Sequence, residues 1–172
     1  MEGATIFKNS MVVFDQALAS RLFNKGYFGS FLDGKLELSL EEALYLKEKK
    51  GLKLLNERGR ILSTQSFMRI AERIQKRFSI RYRVFKDMRD GGYILKTAFK
   101  YGGDFRVYNK GDTPGKAHAM WILYAADEHE SMRFLSFAAM SRVVHSVKKK
   151  LLIGIVDDEG SVTYYEMRWM KL

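Results

Sequence analysis

Past residue 92 the chain passes through short strand-like stretches arranged around one long amphipathic segment, an order that leaves few folds open to it. Residues 93–99, 104–108 and 118–125 read as consecutive strands. Asp127 stands where it would cap a helix running to about Val147, with Met132, Leu135, Ala139, Val143 and Val147 along its inner face. Residues 151–156 form a short apolar strand of the buried kind. Asp157-Asp158-Glu159-Gly160 turns it into a last strand, 162–170, in which Tyr165, Met167 and Trp169 share one face. A mixed β-sheet flanked by helices follows, so the expected fold class is mixed α/β of the α+β kind.

The first half is built from smaller pieces. Residues 26–32 and 35–38 flank Asp33-Gly34, the favoured type I′ hairpin dipeptide. Ser39-Leu40-Glu41-Glu42 is a capping box, predicting a helix to about Lys50 that stops at Gly51. Phe67, Ile70, Ala71, Ile74 and Phe78 recur at helical spacing, and another helix is expected from Arg81 to Asp90. No Gly-, Pro- or Ser-rich linker marks the change of character near Ser79. The expected division is an N-terminal mixed α/β domain, 1–78, packed tightly against a C-terminal domain, 79–172, that holds the candidate site.

The 172 residues are 47% hydrophobic, enough for a buried core in either one or two small domains. Lys and Arg number 30 against 20 Asp and Glu, a net charge of +10. Residues 1–78 and 79–172 each hold half of that excess, so the positive field belongs to folded surface and suits a polyanion such as nucleic acid. With no cysteine the chain has no disulfide, no thiolate metal site and no Cys nucleophile. The sequence MEGATIFKNS lacks the layout of a signal peptide and no apolar run approaches a membrane span, so a cytoplasmic protein with no membrane partner is expected.

In the run 104–108, alternation would point Asp104, Arg106 and Tyr108 to one side and send Phe105 and Val107 into the core. The hairpin return would bring His118 beside Tyr108, and Lys148-Lys149-Lys150 opens the next strand after a helix. A phenol, an imidazole and an ammonium together suit metal-free cleavage of RNA by its own 2′-hydroxyl. A base removes the 2′-OH proton, an acid protonates the departing 5′-oxygen and a cation steadies the phosphorane. A tyrosine titrates near pH 10, so service as base asks for a neighbouring cation such as Lys149 or Arg106. The bland alternatives are a packed tyrosine, a solvated histidine and a lysine triplet capping its helix.

The stretches GGDFRVYNKG, SRVVHSVKKKLLIGIVD and DDEGSVTYYEMRW, with a histidine ten residues after the tyrosine, resemble the archaeal tRNA-splicing endonuclease (tRNA-intron lyase) family. The resemblance covers the whole chain and implies Tyr108 as base, His118 as acid and Lys149 as stabiliser of the transition state. It implies 2′,3′-cyclic phosphate and 5′-hydroxyl products, cut from precursor tRNA at bulge-helix-bulge junctions. It further implies that Arg142 binds an extruded nucleotide with Trp169, or else Arg168, as the other half of the clamp. A single-unit chain of this family implies a homotetramer, or an α2β2 assembly with a non-catalytic sister. Asp157, Asp158 and Glu159 would then dock into a basic groove of a neighbouring subunit.

No metal and no cofactor are expected: there is no HExxH and no carboxylate ligand series. His129 is expected on the helix surface and His145 beside the helix end. Gly111-Asp112-Thr113-Pro114-Gly115-Lys116 is no phosphate loop, since Ala117 stands where Ser or Thr would hold Mg²⁺. Two rival functions remain: a metal-dependent nuclease of restriction-like fold using Asp104 and other carboxylates, and a non-catalytic RNA-binding subunit.

Overall fold

The computed structural model describes residues 3–170. The chain divides into two compact units, Met1–Ser79 and Ile80–Leu172. In the first unit β1 (Gly3–Phe7), β2 (Ser10–Val13), β3 (Ser30–Leu32), β4 (Lys35–Leu38) and β5 (Lys53–Leu55) form one sheet in the order β3-β4-β2-β1-β5. Helices α1 (Gln16–Gly26), α2 (Leu40–Lys50) and α3 (Thr64–Ile74) complete it. Asp33 and Gly34 both adopt positive φ, 48° and 74°, as the type I′ turn between β3 and β4 requires. The capping box is formed: Ser39 Oγ accepts from Glu42 N (3.1 Å), and the Glu42 carboxylate accepts from Ser39 N (2.9 Å). The strand expected from residue 26 starts only at Ser30, because Gly26 ends α1 and Tyr27 turns left-handed at φ 55°.

Phe78 keeps its helical spacing from Phe67, and the two rings meet edge-on at 6.2 Å, but they stand on different helices. The Glu72 carboxylate accepts from the backbone N–H of Phe78 (3.2 Å) and Ser79 (2.7 Å), so it ends one helix and starts the next. Helix α4 therefore spans Phe78–Asp90, beginning earlier than the expected Arg81.

In the second unit β6 (Ile94–Thr97), β7 (Phe105–Tyr108), β8 (Trp121–Asp127), β9 (Lys150–Val156) and β10 (Val162–Met167) form a sheet in the order β10-β9-β8-β7-β6. Strands β8 and β9 are parallel, which calls for a crossover, and α5 (Phe134–Ser146) supplies it. The other pairs are antiparallel. One face packs on α4, where Phe85 lies 5.5 Å from Phe105 and Tyr164 donates to Asp87 at 2.8 Å. Burial, with that carboxylate, holds the Tyr164 phenol well above the usual tyrosine range. The other face packs on α5, with Met140 and Val144 set against Ala98, Ile122 and Leu151.

Four expectations for this unit change. Strand β8 opens at Trp121 rather than His118. Asp127 closes β8 instead of capping a helix; its carboxylate accepts from His129 N (2.9 Å), and α5 starts at Phe134. The phase of α5 is one residue later than expected, since Met140 and Val144 are buried while Leu135 and Val143 are exposed. The helix is apolar on both sides, so periodicity could not choose between them. Lastly β10 ends at Met167, leaving Trp169 beyond it. No helix among the described residues is long and apolar enough to cross a membrane.

Candidate active site at the sheet rim

Backbone register assembles the site. Val107 lies opposite Trp121, and Trp121 opposite Lys150. The ladder continues one step further, with Met120 N donating to Val107 O (2.9 Å) and Lys150 N donating to Met120 O (3.0 Å). Tyr108, Met120 and Lys149 thus form the next row across three neighbouring strand ends. Strands lie about 4.8 Å apart, so the backbones of Tyr108 and Lys149 are separated by about 10 Å. This row has the parity of Arg106, Ile122 and Leu151, and it faces the α5 side of the sheet.

Tyr108 is buried and His118 is exposed. His118 stands two residues before Met120, at the end of the loop 109–119. That loop is closed by Asp112 N to Asn109 O (3.1 Å) and Ala117 N to Thr113 O (3.0 Å). The histidine therefore arrives from a loop at the rim rather than from a strand.

The three lysines have different surroundings. Lys148 takes the left-handed position after α5 at φ 54°, its N–H on His145 O (2.9 Å), while Lys149 N donates to Val144 O (3.1 Å). These two bonds make a Schellman motif with lysine in the place of the usual glycine. Lys150 Nζ lies 3.2 Å from Glu166 Oε2. Lys149 lines a cleft of about 410 Å³ together with His145, Arg168 and Trp169. The His145 and Trp169 rings are 4.9 Å apart and tilted by 42°. Arg142 is exposed on α5, with Nε on Ala138 O (3.2 Å), and follows Ser141, which lines the cleft.

Asp104 does not join Arg106 and Tyr108. It precedes β7 and is buried, with Oδ1 3.1 Å from Arg81 Nη1 and Oδ2 accepting from Ala125 N (2.8 Å). Arg106 turns to Thr97 O (3.2 Å). Three participants at the rim escape sequence reasoning: His145 as partner of Trp169, and the pair Trp121 and Glu166, whose indole N–H donates to the carboxylate at 2.9 Å. The only sign of Glu166 in the sequence is an acid two residues before Arg168.

The acidic turn between β9 and β10 is built by its own side chains. The Asp157 carboxylate accepts from Ser161 N (2.7 Å), and Arg83 donates to Gly160 O. Asp158 N donates to the Glu128 carboxylate (2.6 Å), and Asp158 Oδ1 lies 3.1 Å from His129 Nε2. His129 is thus in the loop before α5. Its hydrogen bond to Asp158 and the charges of Asp158, Glu128 and Asp127 raise its pKa above 6.5. Glu159 is exposed.

Comparison with known proteins bears on what such a rim does. Residues 78–164 match the family model described as the tRNA intron endonuclease, catalytic C-terminal domain, and residues 4–68 match that of its N-terminal domain. A protein of Methanothermobacter thermautotrophicus named tRNA-splicing endonuclease is 37% identical over 155 residues, covering 90% of this chain and 89% of that one. One of the same name from Thermococcus onnurineus is 38% identical over 152 residues, 88% and 86% of the two chains. Another from Methanococcus vannielii is 37% identical over 169 residues, 98% and 94%. With both domains matched and relatives this similar along nearly their whole length, the chain belongs to the tRNA intron endonuclease family and is an enzyme of it.

Proposed function

We propose that this enzyme cuts precursor tRNA at bulge-helix-bulge intron–exon junctions by metal-independent attack of the 2′-hydroxyl, leaving 2′,3′-cyclic phosphate and 5′-hydroxyl ends. The observation that carries this reading is the row Tyr108, Met120 and Lys149 across three strand ends, with His118 two residues away in the adjoining loop. Tyr108, as phenolate, takes the 2′-OH proton, the 2′-oxygen bonds to phosphorus, and the bond from phosphorus to the 5′-oxygen breaks as protonated His118 gives that oxygen its proton. Lys149 stabilises the charge that builds on the phosphorane oxygens. The nucleophile belongs to the substrate, so positioning is the protein's main task.

Lys149 is the member of the triplet best suited to this work, because Lys148 forms the turn after α5 and Lys150 is engaged by Glu166. Trp169, paired with His145 in the lining of the cleft, is the better half-clamp for a splayed base, with Arg142 as the other half; Arg168 is turned to Glu166. The buried pairing of Asp104 with Arg81 weighs against a metal-dependent nuclease that would use Asp104 as ligand. Residues 79–172 serve as the catalytic domain, with 1–78 as the N-terminal one. The protein acts in the cytoplasm as a homotetramer, whose subunits dock through Asp157, Asp158 and Glu159 and place two sites on one RNA. The test is a bulged precursor tRNA in EDTA: the ribose form is cut, and a form with deoxyribose at the cleavage position is spared. A requirement for Mg²⁺ ends this reading.

A further inference from the structure

One carboxylate collects the spare cations of the rim. Glu166, opposite Leu152 of β9, accepts from the Trp121 indole (2.9 Å), from Lys150 Nζ (3.2 Å) and from Arg168 Nε (3.2 Å). The indole bond, then those to Lys150 and Arg168, hold its pKa below the usual carboxylate value against the opposing effect of burial. Its partners come from three strand ends: Trp121 opens β8, Lys150 opens β9 and Arg168 follows β10. Lys150 is the residue after Lys149, and Arg168 the residue before Trp169. Both line the same cleft as those neighbours.

An exposed ion pair contributes little to stability, so the consequence of this arrangement is geometric and electrostatic. Free cations at the lip of the cleft would seize whichever phosphate came near, tightening RNA in registers that do not lead to cleavage. A carboxylate anchored by a rigid indole occupies both of them, while Lys149, of opposite parity to Lys150, projects from the α5 face of the sheet away from Glu166. We propose that Glu166 is a positioning residue for the cleavage reaction: it withdraws Lys150 and Arg168 from the RNA and sets the backbone on which Lys149 and Trp169 stand. This rests on the assignment of Lys149 to the reaction made above.

The test compares wild type with Glu166→Gln on a bulge-helix-bulge RNA in EDTA. Affinity is read across a salt series with a form blocked by deoxyribose, and the rate is read at saturating enzyme with the ribose form. With both cations released, Glu166→Gln binds RNA more tightly at low salt, and its log–log salt dependence steepens by about 0.7 for each cation that finds a phosphate. Its single-turnover rate falls by about tenfold to a hundredfold, as a small displacement of Lys149 would cause. Adding Lys150→Gln to this variant removes part of the extra salt dependence without restoring the rate. A variant that merely loosens the fold loses rate and affinity together with the salt slope unchanged, which overturns the proposal, as does no change in either quantity. Should Glu166→Gln not fold, Lys150→Gln alone decides: its salt slope stays at the wild-type value if Glu166 keeps that lysine from the RNA, and a shallower slope overturns the idea. Failure of the wild type to cut would refute the proposed reaction instead, while the salt slopes still report which cations the RNA reaches.

Discussion

Arg81 on α4 and Asp104 just before β7 form a buried ion pair, with Nη1 and Oδ1 3.1 Å apart and both side chains largely withdrawn from water. Asp104 also accepts from Ala125 N, and Arg81 lies over the Phe105 ring at 5.1 Å. The acid that alternation would turn toward the reaction instead ties a helix to the sheet. Asp104→Ala removes the carboxylate that pairs with a buried guanidinium and should lower unfolding free energy by about 3–5 kcal/mol, measured by urea denaturation. The paired replacement Arg81→Met with Asp104→Leu should recover much of that loss. Neither change should make cleavage depend on added metal.

The capping box gives a second stability prediction. Ser39→Ala removes the acceptor for Glu42 N at the start of α2. It should cost about 1 kcal/mol in the same measurement. An unchanged midpoint would show that the first unit draws no net stability from this cap.

For the groups proposed to react, Tyr108→Phe and His118→Ala should each slow single-turnover cleavage by about a hundredfold or more, and Lys149→Ala by about 10²–10³. RNA affinity should change little in all three. Equal loss of affinity and rate would assign these residues to binding rather than to chemistry.

His129 supplies a pH prediction. Its folded pKa is raised above 6.5, first by the hydrogen bond to Asp158. The folded state therefore binds the proton more tightly than the unfolded chain does. The stabilisation is fully present below pH 6.5 and is lost as pH rises through the folded value. Melting curves of wild type and His129→Gln should differ slightly in favour of wild type below pH 6.5, converge as pH rises through the folded value, and differ less at high salt. A gap that persists at high pH would mean that His129 acts by packing.

Local chemistry was the legible part of this chain. Asp33-Gly34 and Ser39–Glu42 declare their geometry within four residues, and the order of strands and helix in the second unit follows from pattern alone. What stayed hidden depends on partners far along the chain. Glu72 breaks an apparently continuous apolar stripe by capping from seven residues away, and Asp104 leaves its expected face for Arg81. The phase of α5 is undecidable where apolar residues cover both sides of the helix. The row of Tyr108 and Lys149 needs the register of three strands, which spacing cannot give, whereas the family resemblance names both residues.

The decisive measurement is end-group analysis of fragments from a bulged precursor tRNA cut by the wild-type protein in chelator. Upstream fragments should end in 2′,3′-cyclic phosphate and downstream fragments should begin with 5′-hydroxyl. Fragments carrying 3′-hydroxyl and 5′-phosphate ends would mean that water, not the neighbouring 2′-oxygen, attacks the phosphorus, and the roles given to Tyr108, His118 and Lys149 would be wrong.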